Sequence, residues 1–220
     1  NTTGGIEAFG SNALRGNTTG VYNVAFGSNA LYSNTTAGGN TAFGAQTLYL
    51  NTTGAENTAI GGSLASTPAL RNNTTGSYNI AVGAGSLASN TTASNNTAVG
   101  YQAGYSNTTG TRLTAVGQAA LYSNTTGYDN TAIGQSVLYN NTTGFYNVGV
   151  GGYGSGNQTL VSNTTGSYNT AVGMSALGSN TTASNNTAVG YQAGYTNQTG
   201  NYNTFVGYQA GRSEEHTSEL

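Results

Sequence analysis

Asn163-Thr-Thr-Gly-Ser-Tyr-Asn-Thr-Ala-Val-Gly-Met-Ser-Ala-Leu-Gly-Ser179 is followed at once by Asn180-Thr-Thr-Ala-Ser-Asn-Asn-Thr-Ala-Val-Gly-Tyr-Gln-Ala-Gly-Tyr-Thr196, the same 17-residue unit with the same columns. Working outward, the Asn-Thr-Thr-Gly anchor or a close variant starts at Asn1, Asn17, Asn34, Asn51, Asn73, Asn90, Asn107, Asn124, Asn141, Asn163, Asn180 and Asn197. The spacing is 17 throughout except for one 16 and two 22s. A fixed period of this length is the signature of a solenoid, in which each unit is one turn of a stacked coil and gains stability from its neighbours.

Three columns define the unit. Its tenth position is always apolar, reading Phe9, Phe26, Phe43, Ile60, Val82, Val99, Val116, Ile133, Val150, Val172, Val189 and Val206. The eleventh is always glycine, at Gly10, Gly27, Gly44, Gly61, Gly83, Gly100, Gly117, Gly134, Gly151, Gly173, Gly190 and Gly207. Glycine there suits a corner where positive φ or close coil contact excludes a side chain, so the strand is expected to end at it. A second apolar column carries Leu14, Leu31, Leu48, Leu70, Leu87, Leu121, Leu138, Leu160 and Leu177, with Gly104, Gly194 and Gly211 in its place elsewhere. A neighbouring tyrosine is expected to fill the space those glycines leave.

Short β-branched runs bounded by Gly and Asn read as strands and turns, and no 3.6-residue stripe is sustained. The expected fold is therefore all-β: a parallel β-solenoid, or β-roll, of about twelve 17-residue coils, two of them enlarged to 22 residues. At about 4.8 Å per coil the rod would be about 55–60 Å long. The valine and leucine columns are assigned to the core. Alternation then puts the small ninth-position column (Ala8, Ala25, Ala42 and onward, with Phe205 as outlier) on the opposite face. Two aliphatic side chains per coil are little burial for ordering 17 residues, so the alanine face is expected to close-pack against two further copies in a homotrimer. The insertions, around Ala65 to Ala69 with Pro68 and around Tyr153 to Asn157, are expected to bulge as loops.

Composition narrows function by exclusion. Charged residues make up 5% of the chain, and cysteine is absent. Residues 212–220, Arg-Ser-Glu-Glu-His-Thr-Ser-Glu-Leu, resemble the translation of a sequencing adapter and are read as a non-biological tail; residues 1–211 are read as a single repeat array, a fragment lacking its caps. Without the tail the charges Arg15, Arg71, Arg112, Glu7, Glu56 and Asp129 cancel. Nucleic acid binding would need clustered Lys and Arg, and membrane insertion a long apolar run. Catalysis lacks parts, since the acids are single substitutions in different coils and no His or Lys stands ready to activate a hydroxyl. No catalytic, cofactor or metal residue is assigned.

The polar columns carry the remaining possibilities. Asn at positions one and seven reads as a stacked amide ladder, although each Asn-Thr-Thr is also a glycosylation sequon. Tyr22, Tyr78, Tyr128, Tyr146, Tyr168 and Tyr202 are placed in one column and are the candidate ligand-facing residues, because exposed tyrosines beside amides suit carbohydrate. The anchor threonines face opposite sides in succession and read as a turn.

Asn96-Thr-Ala-Val-Gly-Tyr-Gln-Ala-Gly104 and Asn186-Thr-Ala-Val-Gly-Tyr-Gln-Ala-Gly194 resemble the head repeats of YadA-like trimeric autotransporter adhesins. Closely similar Asn-Thr-Thr-Gly arrays occur in phage tail-fibre-like proteins. The resemblance spans residues 1–211, with a longer coil than the adhesin heads use. It implies a left-handed, trimeric β-roll at a cell or virion surface that binds host glycan or matrix protein. The expected function is a structural and adhesive fibre segment; the alternative is a monomeric ice-binding or carbohydrate-binding solenoid.

Overall fold

The computed structural model describes residues 4–62, 67–152 and 158–212. The centres of both insertions and the tail from residue 213 lie outside the described residues, so the loop expectations there and the reading of the tail concern undescribed segments.

Each coil contributes one three-residue strand, from β1 (Glu7–Phe9) to β12 (Thr204–Val206), and consecutive strands pair in parallel in chain order to make a single 12-stranded sheet. Register is kept to the residue: Ala98 faces Ala115 and Val99 faces Val116, and across the first enlarged coil Ala59 still faces Ala81. The chain is an all-β parallel solenoid, with no helix among the described residues. The other sides of the coil carry no strand but stack as regularly. Leu31 N–H donates to Thr47 C=O, Ser33 N–H to Tyr49 C=O and Thr35 N–H to Thr52 C=O, each one coil onward.

The strand ends at the glycine column, whose φ runs from 104° to 139°. A Cβ on Gly117 would lie 2.6 Å from the carbonyl carbon of Gly134 in the next coil. Glycine is thus required twice over, by dihedral and by backbone contact.

The inside of the coil corrects the expected core. The outward residues are Phe26, Phe43, Ile60, Val82, Val99, Val116, Ile133, Val150, Val172, Val189 and Val206, all partly or well exposed, with Phe43 at 51% and Ile133 at 42%. The ninth-position alanines, from Ala25 to Ala188, are buried, most of them at 0%. A three-residue strand sends only its middle side chain inward, and the coil is so narrow that a methyl fills the gap to the opposite wall. The alanine column is therefore no face for other copies. Leu31, Leu48, Leu87, Leu121, Leu138 and Leu177 lie in the core with it. They do so with φ near 50°, the left-handed region, which costs a non-glycine residue energy that burial offsets.

Where a column changes size, a neighbour compensates. Gly149 replaces the inward alanine, and a Cβ there would lie 2.5 Å from Cγ1 of Val137, which stands where Ala30 or Ala120 stands in other coils. The spaces at Gly194 and Gly211 are taken by the ring of Phe205, and Gly104 is met by Leu87. The expected tyrosine filling is thus corrected: Tyr105 lies at the surface, stacked on Tyr122.

Two asparagine ladders line the remaining interior. Asn124 Nδ2 donates to Asn107 Oδ1 at 2.9 Å and to Gly127 C=O at 2.9 Å, while its own Oδ1 accepts from Asn141 Nδ2 at 2.8 Å. The seventh-position column caps the backbone, as Asn57 N–H donates to Asn40 Oδ1 at 2.9 Å. Both ladders converge on one carbonyl per coil: Ala37 C=O accepts Asn34 Nδ2 at 3.0 Å and Asn23 Nδ2 at 2.7 Å. Buried amides are tolerated because nearly every donor and acceptor is used.

Candidate interaction surface

Two surfaces stand out on the rod. The first is the outward face of the sheet. Alternation points positions eight and ten of every coil to the same side. Position ten supplies the Phe, Ile and Val column; position eight supplies Val24, Ile80 and Val148 and otherwise mostly threonine, at Thr41, Thr58, Thr97, Thr114, Thr131, Thr170, Thr187 and Thr204. This threonine row is distinct from the Asn-Thr-Thr anchor; its signal in the sequence is the Thr-Ala-Val triplet, whose ends must share a face. At about 4.8 Å per strand and about 6.7 Å between alternate residues, the face covers on the order of 400 Å². Phe9, Phe26 and Phe43 stack at one end, with ring centroids 4.7 and 4.8 Å apart. A continuous strip of this size, apolar along one row and mostly threonine along the other, is comparable to the largest apolar patch of a typical monomer, which is often functional.

The second surface is the turn before the strand. Position six has φ between 54° and 72° in every coil from Tyr22 onward, whatever residue sits there. Tyr22, Tyr78, Tyr146, Tyr168 and Tyr202 occupy it, and all are exposed. Tyr128 does not: it belongs to position five, and Asp129 holds position six, a correction to the tyrosine column. The aromatics of this turn concentrate in the coils that begin at Asn124, Asn141 and Asn163. Tyr128 stacks on Phe145 at 5.0 Å, Tyr146 on Tyr168 at 5.2 Å, and the two stacks meet edge to face at 74–78°.

At one end of this ledge Arg112 grips Asp129 with both arms, Nε to Oδ1 at 2.6 Å and Nη2 to Oδ2 at 2.7 Å, and its Cζ lies 5.9 Å from the Tyr128 ring centre. The Arg112 hydrogen bond holds the Asp129 carboxyl below the usual carboxylate range. The same carboxylate raises Tyr146 above an ordinary phenol, so that it keeps its proton. Arg112, Asp129 and Phe145 were not legible as a site because each is a single departure from its column, Arg112 and Asp129 at position six and Phe145 at position five.

Elsewhere the tyrosines serve the coil edge. Tyr105, Tyr122 and Tyr139 form one stack, and burial with its two neighbours raises the Tyr122 hydroxyl. Tyr32 and Tyr49 form another, flanked by Arg15 against Tyr32 and Arg71 against Tyr49. The sequon asparagines Asn34 to Asn180 are buried with Nδ2 engaged in the ladder, so the folded array offers no amide there for a glycan.

A hollow of about 410 Å³ beside β1 is lined by Glu7, Ala8, Phe9, Val24, Ala25 and Phe26, a single carboxylate among carbon. No group of three or more His, Cys, Asp or Glu stands together among the described residues. No helix there is long and apolar enough to cross a membrane. Comparison with protein-family models, curated proteins and solved structures finds no match.

Proposed function

We propose that this array is a non-catalytic structural segment of an extracellular attachment fibre, either a surface adhesin or a phage tail fibre. Copies associate side by side as a homotrimer, and the polar flanks are presented to a cell surface or glycan. The observation that carries the reading is the unbroken apolar column on the outward sheet face. Twelve coils keep Phe, Ile or Val where water would be cheaper to face with Ser or Asn, and a rod with its own closed alanine–leucine core does not need them for folding. Three such faces around a common axis bury one another.

Light scattering and sedimentation of the full chain test this. A folded trimer is expected. Replacing Val99, Val116 and Val172 by Asp should yield a folded monomer with an unchanged circular dichroism spectrum; a monomeric parent would refute self-association. In that event the threonine row gains weight, because hydroxyls and methyls alternating in strict register on a flat sheet suit ordered water. The corresponding measurement is thermal hysteresis, expected to vanish in Thr114→Tyr if the solenoid binds ice and to be absent throughout if it is a fibre.

A further inference from the structure

We infer that the aromatic ledge formed by Arg112, Tyr128, Asp129, Phe145, Tyr146 and Tyr168 is a carbohydrate-binding site for a neutral oligosaccharide. This names the ligand class for the attachment half of the reading above and is independent of self-association.

The fold does not call for these side chains. Other coils hold Ser94 with Asn95, or Ser184 with Asn185, at the same two positions, with φ of 62° and 61° at the asparagines. The turn is equally well made with small polar residues. An exposed ion pair adds little stability, and Arg112 remains 55% exposed in its side chain. The four rings and the pair nevertheless coincide on adjoining coils, over about 14 Å of rod, long enough for a chain of sugars rather than a single ring.

Their chemistry is complementary to sugar. Tyrosine and phenylalanine supply rigid apolar surface at low entropic cost to the C–H faces of a pyranose. Asp129 spends two hydrogen-bond directions on Arg112, leaving acceptor capacity on both oxygens. Arg112 uses two of its five N–H groups on Asp129 and keeps three. A fixed acceptor beside fixed donors matches a vicinal diol, whose hydroxyls both donate and accept. The pair is locked before the ligand arrives, which reduces the ordering cost of binding. Mutual neutralisation of Arg112 and Asp129 favours a neutral glycan over a sialylated or sulfated one.

The test is an array of neutral hexose and N-acetylhexosamine oligosaccharides, with sialylated members as charged controls, probed with the full chain. A retained neutral oligosaccharide is then titrated by calorimetry into the parent and into variants. Tyr168→Ala and Asp129→Asn should each weaken binding at least tenfold, whereas Tyr22→Ala, in the same column but away from the ledge, should not. Circular dichroism establishes that each variant is folded. Retention of no neutral glycan, or equal affinity in Tyr168→Ala and Tyr22→Ala, overturns the assignment. A trimer that binds no sugar would sink the ledge alone; a monomer that binds sugar through it would sink self-association alone.

Discussion

Ala115 and Val116 are neighbours in the chain and lie on opposite sides of the sheet, the first 1% exposed and the second half-buried on the outward face. Ala115→Asp would put an unpaired carboxylate into a closed interior and is expected to cost at least about 3 kcal/mol, seen as a lower urea midpoint. Val116→Asp should instead act on association, seen as a shift to monomer in sedimentation with the circular dichroism spectrum unchanged. Gly117→Ala meets both a φ of 131° and the Gly134 backbone, and a loss of more than about 2 kcal/mol is expected. In the ladder, Asn124→Ala strands the partners of three hydrogen bonds, on the order of 2–4 kcal/mol. Asn124→Asp should be worse, since it also loses the donor and buries charge.

At the scale of the coil, period, strand position, glycine corner and leucine column were all legible, because each is a property of spacing. The side of the sheet that faces in was not. Alternation defines two faces without saying which is buried, and the usual rule that the larger apolar residue goes inside fails in a coil with room for a methyl. Bulk went outward at Val116 and its equivalents because Leu121 and the asparagine amides already fill the interior. Of the ledge, Tyr128, Tyr146 and Tyr168 were legible as candidate ligand-facing tyrosines, whereas Arg112, Asp129 and Phe145 were not, because their partnership exists only once successive coils stack positions five and six side by side. Size compensation can be tested in one coil pair. Gly149→Ala alone should clash with Val137, and Val137→Ala alone should open a cavity costing about 1 kcal/mol. Together they restore the ordinary alanine pair, so a favourable coupling of about 1–2 kcal/mol is expected from the double-mutant cycle by urea unfolding.

For the whole molecule, the near-absence of charge sets how it should respond to solution conditions. Among the described residues the ion pair recorded is Arg112–Asp129. Its carboxyl is lowered on folding, so its contribution is present above the ordinary aspartate range near pH 3.9 and is lost only as pH falls through the still lower folded value. Between pH 5 and pH 8 stability should be flat, as thermal unfolding across that range would reveal. Raising salt should not dissociate an assembly held by valine and phenylalanine, whereas cooling should weaken it; sedimentation at two salt concentrations and two temperatures checks both.

The in-register stacking of identical turns also bears on inheritance. Because every coil meets its neighbours through the same columns, unequal exchange between two copies of the repeat in the gene would insert or delete a whole turn and leave each surviving contact intact. The rod would then change in steps of about 4.8 Å, and its length would be a heritable count, a ruler graduated in units of 17 residues.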